Sequence, residues 1–261
     1  MQFETKIGKS YPDKILIHGY DLTEDLIGTA TLADMAFIGA KRRMPTKEES
    51  LMLNAILVAI CEHGFTPSSI STRLTYLGAP ESVQSAIAAG LLGAGTVYLG
   101  AMEYVAEMVQ NAFIKYPNEE ISTIATKLLE QYEADKKQLP GFGHPMHKPV
   151  DPRTVKLFSI ADELGIKGKH VQLIEEINRQ LNERKGKPIT LNAVGAIGAI
   201  FSDMDFDYRI VKSFGVAARA VGLVAHVVEE IEHGRKNSIG QRLYDYVEHN
   251  TNYLAGETVK E

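Results

Sequence analysis

Between residues 138 and 153 the chain reads QLPGFGHPMHKPVDPR, with four prolines and two glycines in sixteen residues. Proline fixes φ and glycine admits turns that other residues resist, so this run is a loop of nearly fixed path rather than helix interior. His144 stands inside it, between Gly143 and Pro145. Rigid presentation of an imidazole, which titrates near neutrality, is what general acid–base work requires. His147, Lys148, Asp151 and Arg153 follow closely. The plainer reading is a surface loop whose polar side chains satisfy turn backbone groups. As a metal site His144 and His147 fall short, because no third ligand lies at a recognised spacing.

Arg219 is the second candidate. It lies in FGVAARAVGLVAHVV, among apolar neighbours, and a charge there needs a partner. Gly222 and His226, three and seven residues on, share its helical face. Arg219 is either paired with an acidic group inside the protein or a fixed cation that receives a substrate carboxylate. His63, in Cys61-Glu62-His63-Gly64, follows an apolar helix, where a histidine next to glycine is by itself a cap favoured by the dipole. The acidic run SDMDFDY (202–208) reads as a helix end and solvated turn.

Helices must position these groups. LMLNAILVAIC (51–61) is apolar nearly all round and is expected to be buried on every side. SVQSAIAAGLLGAG (82–95), NAVGAIGAIF (192–201) and FGVAARAVGLVAHVVEEI (214–231) are rich in Ala and Gly, which lets helix backbones approach closely. Segments 103–117 and 120–137 show mixed faces, as half-exposed helices do, and further helices are expected over 154–165 and 169–186. No alternating strand pattern exceeds ILIHGY near residue 15, and there is no repeated βαβ unit. The expected fold class is all-α.

Composition narrows the function classes. The 261 residues suit one domain or a large and a small lobe, and 44% apolar with 23% charged residues excludes disordered and fibrous classes. A net charge of −5 argues against general nucleic-acid binding, which needs a basic surface to displace counterions. One cysteine, Cys61, allows no internal disulfide and fits a reducing cytoplasm. No run reaches the ~18 uninterrupted apolar residues of a bilayer span. The start shows no targeting pattern and the C-terminal Thr-Val-Lys-Glu no lipidation signal, so no membrane partner and a cytoplasmic location are expected. Neither GxxxxGK[ST] nor GxGxxG occurs, so no bound nucleotide is expected.

The ordered set EHG, GLLGAG, GxGHxxxKxxxxR and RAVGLVAH, at matching intervals from about Lys14 to Tyr253, resembles the citrate synthase superfamily. Within it the pattern is most similar to short citryl-CoA lyases and the C-terminal module of ATP-citrate lyase. The resemblance implies an all-helical fold with a large dimerising domain (1–117 and 213–261) and a small lid domain (118–212). It also implies that His144 exchanges a proton with the substrate hydroxyl or carbonyl oxygen and that His63 binds the same region of the citrate moiety. Arg153 and Arg219 match carboxylate clamps. Lys148, with Gly141 and Gly143, falls on the coenzyme A side, and Arg235 or Arg242 could match a basic residue that reaches across a dimer.

Two positions depart from the family. Its aspartate, in the pattern NVDG, falls on Val194 in Asn192-Ala193-Val194-Gly195, and its histidine after GPL falls near Tyr98-Leu99-Gly100, where none occurs. Asp203 cannot stand in from the same helix, since nine residues carry it to the opposite face and about 13 Å along the axis. Asn192, His147 or a water is left for the proton donor. The implied activity is cleavage of citryl-CoA, or a related 3-hydroxyacyl-CoA, to acetyl-CoA and a 2-oxo acid. The coenzyme A thioester would be the substrate, citrate-type carboxylates the ligands, no metal is needed, and a homodimer or higher homo-oligomer is expected. The alternatives are the condensing direction, as a citrate synthase-like acyltransferase, and a non-catalytic acyl-CoA- or citrate-binding protein.

Overall fold

A computed structural model describes residues 3–253, and the C-terminal Thr-Val-Lys-Glu and the side chain of Tyr98 lie outside the described set. The chain is mostly helical. Three short strands, β1 (Gly8–Ser10), β2 (Ile15–Ile17) and β3 (Tyr20–Asp21), form an antiparallel meander ahead of the helices. The ILIHGY stretch makes β2 and β3, which pair Ile17 with Tyr20 across His18 and Gly19. Both turn residues have positive φ, as tight two-residue hairpin turns require.

Among the described residues the α-helices are α1 (Leu32–Lys41), α2 (Lys47–Cys61), α3 (Pro67–Gly78), α4 (Val83–Leu92), α5 (Ala101–Lys115), α6 (Ile121–Ala134), α7 (Pro152–Glu163), α8 (Lys169–Lys185), α9 (Ala193–Asp203), α10 (Tyr208–His233) and α11 (Ile239–His249). Several begin where short-range chemistry says they should. Thr66 caps α3 and Asp151 caps α7, each followed by proline at the first helical position; Asn192 caps α9 and Ser238 caps α11. The helix expected to be buried on every side, within α2, is not: Leu51 and Val58 are 48% and 67% exposed. They lie seven residues apart and so share a face, and an all-apolar pattern does not reveal which face lacks a neighbour. Helix α10 is long and apolar enough to cross a membrane by length and composition, but half of its most apolar window is buried.

Packing divides the chain into two compact units, Met1–Ile60 with Thr96–Gly215, and Cys61–Gly95 with Val216–Glu261. In the first, α9 is the central helix: every residue from Gly195 to Ser202 is buried, with α5, α7 and α8 against it and α6 against α8. Phe37, Phe201, Phe206 and Phe214 join it in an aromatic cluster with ring centroids 5.1–5.6 Å apart. In the second unit α3 packs on α4 and α11 on α3. Here Gly222 of α10 meets the end of α2 so closely that a Cβ would lie 2.1 Å from the Cys61 carbonyl oxygen, the close approach expected of the Ala/Gly-rich helices.

Candidate active site

In the first unit the loop 141–151 is fastened to residues 190–192, just ahead of α9. Phe142 pairs with Leu191 in an antiparallel bridge, the Gly143 N–H donates to the Thr190 carbonyl (2.7 Å), and the Asn192 N–H donates to the Gly141 carbonyl (3.0 Å). The Thr190 hydroxyl lies 3.0 Å from the carbonyl oxygens of both His147 and Pro149. Asn192 is used at both ends: its Oδ1 accepts from the Gly195 N–H while its Nδ2 donates to the Gly143 carbonyl. Gly141 is buried at φ +85°, where a Cβ would stand 2.8 Å from the Gly195 Cα and 2.9 Å from Val105 Cγ2. Gly143, also at positive φ, faces open space.

This frame sets the state of His144. Its Nδ1 accepts the backbone N–H of His147 at 2.9 Å and of Met146 at 3.2 Å. The neutral ring therefore carries its proton on Nε2, and that edge is a hydrogen-bond donor. The His147 ring stacks on it, centroids 4.4 Å apart. Burial first, then the neighbouring His147 and Arg153, lower the His144 pKa, against an opposing pull from Asp151. The neutral donor is thus the form favoured at neutral pH.

Arg153 begins α7 with its fork on Asp151: Nε donates to Oδ1 (3.1 Å) and Nη2 to Oδ2 (2.8 Å). The Asp151 side chain is fully buried and also accepts from the N–H groups of Arg153 and Ala193, so one carboxylate anchors the starts of α7 and α9. Burial pushes its pKa up, but the Arg153 guanidinium and these N–H groups outweigh that and hold it below the usual carboxylate range. Lys148 is exposed.

The second unit holds His63 and Arg219. Arg219 is buried on α10, with Nη1 3.8 Å from Oε2 of Glu62, so an acidic partner exists, though it is 40% exposed rather than inside the protein. The same oxygen lies 2.9 Å from His226 Nε2, and the Gly64 N–H donates to Glu62 Oε1 at 2.6 Å. Glu62, the neighbour of His63, is therefore a fixed anion in the turn that carries that histidine. The EHG motif contained it, but only the tertiary contacts give it a role. Arg73, fully buried on α3, is a further residue that sequence reasoning missed; no local pattern marks it.

Other expectations resolve differently. Asp203 is not in a solvated turn: its side chain is 3% exposed and accepts from the N–H groups of Gly168, His170 and Val171 and lies 2.9 Å from His170 Nδ1. It caps α8, and that employment, as well as its place along α9, removes it as a proton donor. Asn192 is likewise committed to cap and loop. Val194 is half-buried in the first turn of α9, and Arg235 and Arg242 are exposed. A cleft of about 530 Å³ between α5 and α6, lined by Tyr104, Glu107, Tyr116 and Tyr132 among others, includes none of the sequence-predicted site residues.

Residues 13–241 match the family described as citrate synthase, C-terminal domain. A citrate synthase of Acidithiobacillus ferridurans is 28% identical over 203 residues, 74% of this chain and 50% of that protein. A citrate synthase of Thermoplasma acidophilum is 29% identical over 203 residues, 73% and 50%. The chain spans about half the length of these curated relatives. Among solved structures, citryl-CoA lyase from Hydrogenobacter thermophilus matches with a TM-score of 0.85 at 33% identity, covering 99% of this chain and 97% of that one. An ATP citrate lyase from Methanosaeta concilii matches at 0.77 with 18% identity, covering 99% and 42%, a likeness of fold alone.

Proposed function

The chain belongs to the citrate synthase family, and from that premise we propose that it is a citryl-CoA lyase, cleaving citryl-CoA to acetyl-CoA and oxaloacetate. One observation carries the choice within the family: the citryl-CoA lyase is 33% identical and matches over 99% of this chain, whereas the two synthases are 28% and 29% identical over 74% and 73% of it. Coenzyme A thioester and citrate-type carboxylates are then the ligands.

Cleavage breaks the bond between the hydroxyl-bearing carbon and the thioester CH₂. The electron pair passes to the thioester enolate, the hydroxyl proton leaves as the carbonyl forms, and one proton returns to the enolate carbon. His144 takes the donor's part. Its Nε2–H hydrogen-bonds the reacting oxygen, and two N–H groups on Nδ1 argue against its acting as the base for the hydroxyl. His147, stacked on His144, is the group we assign to move the proton from oxygen to carbon, because Asp203 and Asn192 are otherwise engaged. Arg153, oriented by Asp151, and Arg219 are read as carboxylate ligands, His63 as a ligand of the citrate moiety, and Lys148 as a contact of coenzyme A phosphate. Residues 118–212 are read as the lid, and the chain as a homo-oligomer. A stripe on α10, Val221, Val224, Val228 and Ile231, is 44–54% exposed, and a second copy of the chain is the occupant we assign to it.

Val194 favours a second reading, a protein that binds citryl-CoA without turning it over. The deciding experiment is oxaloacetate release from citryl-CoA by the purified protein, coupled to NADH oxidation by malate dehydrogenase. Turnover supports the lyase; tight thioester binding with no turnover supports the second reading.

A further inference from the structure

Among the described residues Arg73 is the largest fully buried side chain, and its guanidinium is engaged along every edge. Nη1 donates to Glu230 Oε1 at 2.5 Å, Nη2 donates to Glu229, and Nε and Nη2 reach His226 Nδ1 at 3.1 and 2.7 Å. Glu230 is held in turn by the Gly240 N–H at the start of α11. The Phe65 ring lies over the guanidinium, 5.2 Å from centroid to carbon. A guanidinium offers donors and no acceptor, so Nδ1 of His226 must accept and its neutral ring carries the proton on Nε2. That Nε2–H donates to Glu62 Oε2, the oxygen 3.8 Å from Arg219 Nη1. A continuous line of contacts runs from Glu230 through Arg73, His226 and Glu62 to Arg219, all within one compact unit.

We propose that Arg73 is a positioning residue for the carboxylate grip of Arg219: it locks His226 in the Nε2–H form, His226 fixes Glu62, and Glu62 sets the resting place of the Arg219 guanidinium. The inference rests on the reading of Arg219 as a carboxylate ligand. Pairing of Arg73 with the buried Glu230 and the half-exposed Glu229 would need no imidazole, yet two of the Arg73 donors are directed at one. The line also passes through a carboxylate that is 40% exposed, Glu62, just before Arg219, whereas the Arg73, His226 and Glu230 side chains are buried. It brings a fixed negative charge from the interior to the edge of the unit.

Two measurements on the full chain test this. Histidine-selective ¹⁵N spectra should show His226 with Nδ1 bare and Nε2 protonated; the Nδ1–H form overturns the proposal. Calorimetric binding of oxaloacetate is then compared across variants. His226→Leu should weaken it about tenfold, the scale of one lost hydrogen bond to a charged group, with folded content by circular dichroism retained. His226→Gln, whose amide can donate to Glu62, should recover most of the loss. Equal affinity of wild type and His226→Leu, with Arg219→Ala weakened, overturns the positioning role while leaving the Arg219 reading intact. Equal affinity of wild type and Arg219→Ala, or no binding by wild type, overturns that reading and the proposal with it. If His226→Leu does not fold, Arg73→Lys takes its place: it can still pair with Glu230 but cannot supply both donors to Nδ1, so weakened binding supports the lock and unchanged binding overturns it.

Discussion

Replacing His144 with alanine removes the Nε2–H and should lower citryl-CoA turnover by about 10²–10³, the usual worth of one hydrogen-bond donor to a reacting oxygen, with the fold retained by circular dichroism. Because the His144 pKa is lowered, the neutral donor persists below the ordinary imidazole value of 6.5. Protonation would keep the Nε2–H but turn Nδ1 into a donor facing the Met146 and His147 N–H groups, so loss of turnover from this disruption of the loop should appear below pH 6.5. Asp151→Ala leaves the Arg153 fork and the Ala193 N–H without their carboxylate and should cost about 3–5 kcal/mol by urea unfolding. The Asp151 pKa is depressed in the fold, so its stabilisation is present above the ordinary 3.8 and disappears as pH falls through and below it. The stability difference between wild type and Asp151→Ala should shrink over that range. His144 is legible in the sequence because its loop announces itself through prolines and glycines. Which ring nitrogen carries the proton is not, because that depends on where two backbone N–H groups point. Arg73 is illegible for a different reason: its partners lie more than 150 residues away.

Helix starts are the most legible elements, since Thr66-Pro67, Asp151-Pro152 and Asn192 act through bonds within three residues. Exposure of Leu51 and Val58 is not, because periodicity marks an apolar face without saying whether a neighbour covers it. The meander is legible only in outline, since ILIHGY alternates too briefly to outweigh the helices. At the same scale the two loop glycines separate cleanly. Gly141→Ala must place a methyl group against α9 and Val105 at positive φ, and should cost about 2–4 kcal/mol in thermal or urea unfolding. Gly143→Ala faces open space and should cost about 1–2 kcal/mol, the backbone penalty alone. Equal losses would show that the loop does not rest on α9.

For the whole molecule, light scattering should give a mass at least twice the 28.8 kDa of one chain. Val224→Glu together with Val228→Glu should shift it to the single-chain mass, because both positions are half-exposed on the same face of α10 and burial of the introduced carboxylates between copies would be costly. The Arg73 line bears on synthesis as well. The unit that contains it is built from Cys61–Gly95 and from residues after 216. A ribosome adding about 5–20 residues per second reaches His226 roughly 8–30 s after Arg73. Throughout that interval a cation destined for the interior has none of its three acidic or imidazole partners, and the small-residue faces of α3 and α4 lack α10 and α11. This unit cannot assemble from its amino end as it emerges, and its completion waits for α10 and α11; nascent chains stalled before residue 226 should be cut by protease within α3 while released chains resist.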